Sequence, residues 1–191
     1  MIAPVRTVAP ATNPVTLDEA KAHLRVDAAD EDTLIGAFID AAVSHLDGWT
    51  GILGRCMVTQ TWRQDYGNFA WLRLPFPNVQ SVTVAYTDEN GDTQTLDAAN
   101  YHLVNGVDRS EIILADGGSY PGTANIPDAV RVTMAVGYGA AAAVPAALKA
   151  AILLHVGHLY ANREAVAVGQ TVATLPLAHD ALIRPYRRVG V

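Results

Sequence analysis

Apolar positions recur along the chain at more than one spacing, and each spacing predicts a different element. Leu34, Ile35, Phe38, Ile39, Ala42, Val43, Leu46 and Trp49 repeat at three- and four-residue steps. That is one face of an amphipathic helix reaching about Thr50, where Gly51 stops it. Upstream, Thr16-Leu17-Asp18-Glu19 is a capping-box pattern, in which hydroxyl and carboxylate each bond the other residue's backbone N–H. It opens a shorter helix to about Val26, with Leu17, Ala20 and Leu24 turned inward. Between the two helices, Asp27 to Asp32 is a polar link whose carboxylates suit a helix N-terminus.

From Met57 the period drops to two. Val58–Arg63, Ala70–Leu74, Val79–Thr87 and Val130–Val136 read as strands, with Tyr101–Val104 and Glu111–Leu114 as shorter candidates. Asn90-Gly91 predicts a hairpin turn, with Thr93–Leu96 returning. Helical spacing resumes in Pro145–Glu164. Leu148, Ile152, Val156, Leu159 and Tyr160 form its stripe, and Leu153 and Leu154 widen the stripe until the helix is apolar nearly all round. At about 1.5 Å per residue it is roughly 30 Å long, and His155, His158 and Arg163 argue against a membrane span. Leu148, Ile152, Val156 and Leu159 are therefore expected as core, packed on the Leu34–Phe38–Val43 stripe. Residues 1–15, with Pro4, Pro10 and Pro14, read as an extended arm. Pro176 can start a last short helix with Leu177, Ala181 and Leu182.

The predicted fold is α+β: a helical core (residues 14–56 and 144–164), an antiparallel β insertion (57–139) and a C-terminal tail (165–191), within one 191-residue domain. Half of the residues are hydrophobic, which allows a sizeable core. The single cysteine, Cys56, excludes an intramolecular disulfide and fits a reducing compartment. The first residues lack the basic-then-apolar order of a signal peptide, so a soluble cytoplasmic product is expected. Charge is uneven. Asp18 to Thr50 carries eight carboxylates against Lys21 and Arg25, whereas Arg184 to the end carries three arginines and no acid. Unlike ends suit head-to-tail contact between copies or different partners, and equally a solvated acidic face with a frayed basic end. The net charge of −6 argues against sequence-independent binding of duplex DNA.

Candidate chemistry is sparse. Ser119 sits in Gly117-Gly118-Ser119-Tyr120-Pro121, where Pro121 replaces the second glycine of a nucleophile elbow. Asp88-Glu89-Asn90-Gly91-Asp92 begins like a calcium loop, but Thr93 and Ala99 stand where glycine and glutamate are needed. His155 and His158 share a helix without nearby third and fourth metal ligands, and read as core or interface histidines. Gly137-Tyr138-Gly139 lacks the third glycine of a phosphate loop. No catalytic residue, metal or cofactor is expected.

Three stretches in order resemble the head–tail connector (adaptor) proteins of tailed bacteriophages and of phage-derived gene transfer agents. They are Val15–Val26 with Asp30–Ile35 and Trp49-Thr50-Gly51; Pro75–Val82 with Tyr86, Gly91 and Tyr101; and Gly137–Gly139 with Val144–Ile152 and Leu159–Glu164. The likeness spans about residues 14 to 164 and extends into Arg184–Arg188, although the β insertion is larger than in the shortest members. It implies a non-enzymatic virion protein, assembled in the host cytoplasm and placed at the head–tail interface. Copies form a ring beneath the portal protein, dodecameric in the particle. DNA passes through the lumen without sequence-specific binding, and the far side meets the next head-completion or tail component, a stopper or tail terminator. No membrane is involved. Under this resemblance Arg184, Tyr186, Arg187 and Arg188 form a portal-docking peg, separable from the folded core; the other placement is a short helix folded back on the chain's own acidic helices. Two other readings come from different classes. One is a ligand- or carbohydrate-binding β module on a helical stalk, suggested by Trp62, Trp71 and Tyr86, and the other is an unrecognised hydrolase.

Overall fold

The computed structural model describes residues 2–163 and 177–188. Its contacts divide the chain into two compact units: Met1–Ala11 with Thr59–Tyr138, and Thr12–Val58 with Gly139–Val191. The first is β and the second helical.

In the helical unit, α1 (Leu17–Leu24) starts at the capping box. The Thr16 hydroxyl accepts the Glu19 N–H at 3.1 Å, and the Glu19 carboxylate accepts the Thr16 N–H at 2.7 Å. The helix ends at Arg25 in the left-handed conformation, two residues before the Asp27 link. Next comes α2 (Asp32–Leu46), shorter than its apolar pattern predicts. Gly51 explains the early stop: the chain turns back so tightly that a Cβ there would lie 2.3 Å from the Asp47 carbonyl and 2.4 Å from that of Leu46. Trp49 consequently belongs to the turn after the helix. The buried face of α2 is Ile35, Ile39, Ala42, Val43 and Leu46, whereas Leu34 and Phe38 are only half-buried. The inward stripe is thus turned by one residue from the expected Leu34–Phe38–Val43 line.

The long helix, α3 (Ala146–Ala161), packs against α1, α2 and α4 (Leu177–Ile183). Leu148, Ala151, Ile152 and Val156 are fully buried, and His155 is buried beside them. Leu159 is half-buried, not in the core as its spacing suggested, because it lies in the last turn. Among the described residues no helix is long and apolar enough to cross a membrane.

The β unit holds two antiparallel sheets. The larger has the order β1-β2-β8-β4-β5, with β1 Val5–Val8, β2 Gln60–Tyr66, β4 Val79–Thr87, β5 Thr93–Thr95 and β8 Val130–Val136. The smaller is β3-β7-β6, with β3 Leu72–Leu74, β6 Tyr101–Asn105 and β7 Ser110–Leu114. Strands distant in sequence pair in the middle of the larger sheet: Trp62 and Val82 both lie opposite Met134. The proline-rich arm contributes β1 at that sheet's edge, paired with β2 through Val5–Arg63 and Arg6–Trp62. All four β1 residues are exposed, so no alternation announces the strand. Asp88 builds the hairpin turn, its carboxylate accepting the N–H groups of Asn90 at 2.9 Å and Asp92 at 3.0 Å.

Burial on α3 sets an expected outcome. Ile152→Ala should lower unfolding free energy by about 2–5 kcal/mol, the usual range for deep aliphatic truncation, and Leu159→Ala by clearly less. Urea unfolding of both variants checks this, and equal losses would place Leu159 in the core after all.

Candidate docking site at the C-terminal end

The last described segment is built from α4, a 3₁₀ turn over Arg184–Tyr186, and Arg187 and Arg188. Leu177 and Ala181 are exposed, Leu177 at 88%. The inward residues are His179 and Ile183, four apart on one face. Tertiary contact with α3 selects that face over the more hydrophobic one. The tail then folds back on its own unit. The Arg188 N–H donates to the Leu53 carbonyl at 2.9 Å, and its guanidinium carbon lies 5.4 Å from the centre of the Trp49 ring. Gly54 permits this approach. Its φ of +60° suits glycine, and a Cβ there would sit 3.3 Å from Arg188. The turn that receives the tail is itself pinned by Asp47, which accepts the Met57 N–H at 2.6 Å.

The four residues of the expected docking peg therefore occupy different situations. Arg188 is half-buried and tied to the Trp49–Gly54 turn, close to the folded-back placement. Tyr186 is half-buried, while Arg184 and Arg187 are exposed. Residues 164–176 and 189–191, the last three of the tail among them, lie outside the described residues.

A second polar cluster joins the start of α2 to the end of α3. The Glu31 carboxylate accepts the Tyr160 hydroxyl and, at 2.6 Å, an Arg163 N–H. The Arg163 guanidinium also lies over the Tyr160 ring at 4.4 Å. The Tyr160 hydrogen bond, then that of Arg163, holds the Glu31 carboxyl below its ordinary range. Spacing alone linked Tyr160 to the apolar stripe and did not reveal its partner 129 positions away.

Histidines form a third cluster. The His155 ring meets His45 of α2 edge-on at 5.2 Å and His179 of α4 at 5.4 Å. His158 is half-buried and does not complete a metal site with His155. Among the described residues no group of three or more His, Cys, Asp or Glu side chains is placed to hold a metal ion. Ser119 is exposed and Cys56 buried. The strand aromatics do not converge. Trp62 is buried against Phe76 with its indole N–H donated to Gln60, and Tyr86 packs on Phe69. Trp71, 68% exposed, carries Arg73 over its ring.

The helical unit thus receives its own C-terminal tail and leaves Arg184 and Arg187 at the surface. Residues 14–68 match the model of the phage gp6-like head-tail connector protein family. End to end, the chain is similar to a chain in the neck of an empty GTA particle computed with C6 symmetry. Identity is 25%, coverage is 100% of this chain and 97% of that one, and the TM-score is 0.76. It is also similar to chains in the virion of a native gene transfer agent particle and in the neck of a native GTA particle computed with C12 symmetry. Both are 24% identical over 100% of this chain and 97% of theirs, with TM-scores of 0.75 and 0.74. No curated protein sequence matches. The chain matches the connector family in its N-terminal third and the neck proteins in its whole fold.

Glu31 supplies a pH-dependent outcome. Its carboxyl is lowered from 4.5, so its stabilising contribution is present above that pH and is lost as pH falls through the folded-state value. Glu31→Gln should therefore flatten the acid limb of the stability–pH curve below about pH 4.5. Thermal melts of wild type and variant across pH 3–7 check this; parallel acid limbs would show that the cluster does not contribute.

Proposed function

We propose that this protein is a head–tail connector of a tailed phage or gene transfer agent, a structural protein without catalytic activity. Copies form a ring beneath the portal that continues the DNA channel and presents a platform to the next head-completion or tail component. The observation that carries this reading is the whole-length similarity, at 25% identity, to a chain of a GTA particle neck. Ring closure needs only a heterologous interface whose rotation closes. Twelve copies in the particle accord with the 12-fold and 6-fold symmetries under which the related necks were computed. The net charge of −6 suits a channel along which DNA slides, because affinity for DNA comes from neutralising its phosphates. Assembly takes place in the host cytoplasm, and the finished ring sits at the head–tail interface of the virion.

Within the C-terminal peg, exposure divides the work. Arg184 and Arg187, with the edge of Tyr186, meet portal carboxylates, since guanidiniums form bidentate pairs and dominate interface hot spots. Arg188 holds the segment on the Trp49–Gly54 turn.

Light scattering after size exclusion, with the protein alone and mixed with portal, tests the assignment. The mixture should give a co-eluting ring complex; a monodisperse chain that ignores portal would overturn it. Arg184→Glu with Arg187→Glu should abolish co-elution while leaving the melting temperature nearly unchanged. Arg188→Ala should instead lower the melting temperature. Portal binding that survives the double charge reversal would move the contact elsewhere.

A further inference from the structure

We propose that α4 is held by an acid-released latch, in which the buried His155, meeting the rings of His45 and His179, packs against α4 only while its own ring is neutral. The three rings come from three helices: His45 from α2, His155 from α3 and His179 from α4, each contact edge-to-face at 5.2–5.4 Å. His155 is 7% exposed and its Nδ1 has no hydrogen-bond partner; His179 is 1% exposed and its Nε2 has none. A proton added at His155 Nδ1 would create a buried charge without a hydrogen-bond partner.

The surroundings offer little compensation. Toward His155, α2 presents His45, α4 presents His179, and α3 itself places His158 one turn on. Against the same helix, α1 sets His23 over Gly157. The carboxylate at the cluster is Asp180, whose Oδ1 lies 3.2 Å from His179 Nδ1; it is itself exposed and belongs to the helix that would leave. The charged pair of Glu31 and Arg163 is closed on itself at the far end of α3.

Burial first, then the neighbouring His179, His45 and His158, pushes His155 down to about 4 from 6.5. Once α4 departs, the ring titrates nearer its ordinary range, so release takes up a proton. Docking is complete above about pH 6.5 and weakens as pH falls from there toward 4, by up to about tenfold per pH unit. Neutral aromatic replacements keep the packing and remove the titration. The latch acts within the isolated chain and does not depend on ring formation.

Hydrogen exchange of the full chain, corrected for intrinsic rates, provides the test at pH 7.5 and 5.0. Protection of residues 177–188 should fall at least about tenfold at pH 5.0 relative to residues 32–46 of α2. In the His155→Phe, His179→Phe double variant it should hold at both pH values. A wild-type tail equally protected at both pH values would overturn the latch, as would a double variant that loses protection as fully as wild type. Should the double variant fail to fold, a histidine-ring NMR titration of the wild-type chain decides. A buried imidazole that stays neutral below pH 5 while α4 is protected supports the latch. Titration of every ring near 6.5 with α4 still protected overturns it.

Discussion

An almost wholly apolar helix cannot stand in water, and enclosing α3 is the constraint on which the helical unit depends. Leu148, Ala151, Ile152 and Val156 are fully buried, and α1, α2 and α4 each contribute a wall. Each wall meets it differently. The α2 wall is mainly aliphatic, with Ile35, Ile39 and Leu46 buried, and adds the His45 ring against His155. The α1 wall comes close at Gly157, where a Cβ would lie 3.4 Å from the His23 ring. The α4 wall is mixed, with Ile183 beside the buried His179. Hydrophobic burial supplies the driving force without direction, and the polar groups at the ends of α3 supply the direction.

Those polar groups lock the long-range geometry. Glu31, Tyr160 and Arg163 fasten the start of α2 to the end of α3, and Asp47 fastens the α2 exit turn to Met57. Because the exit turn is fixed, its Leu53 carbonyl and Trp49 face are in place to receive Arg188. The C-terminal tail is therefore part of the fold up to Arg188, while Arg184 and Arg187 remain on the surface. One short basic segment can hold itself in place and still present charge to a partner.

The β unit follows a different logic. In its larger sheet β8 is central, flanked by β2 and β4, and the edge strands β1 and β5 are exposed throughout. Such edges are exposed templates for pairing, and Arg6 on β1 and the short β5 blunt them in the usual ways. Trp71 and its stacked Arg73 stand beside the smaller sheet, an exposed aromatic–cation pair of the type enriched at interfaces.

Periodicity made the order of elements legible: two helices, a block of antiparallel strands, a long helix and a short one. The capping box at Thr16 and the hairpin turn at Asn90-Gly91 were readable because they involve neighbours only a few residues apart. The succession of three stretches also carried the family likeness before any fold was known. What periodicity left open was decided by contacts between distant residues. A 3.6-residue repeat with apolar residues on adjacent positions cannot say whether Leu34 or Ile35 points inward, and the packing of the helical unit buried Ile35. On α4 the hydrophobic Leu177 lost to His179, because a face is buried by what lies opposite it. The four residues of β1 read as an arm, since an edge strand that buries nothing leaves no alternation in its sequence. The imidazole run joins positions 45, 155 and 179, and only the tertiary structure brings them together, because spacing along a chain carries no information about which helices will meet.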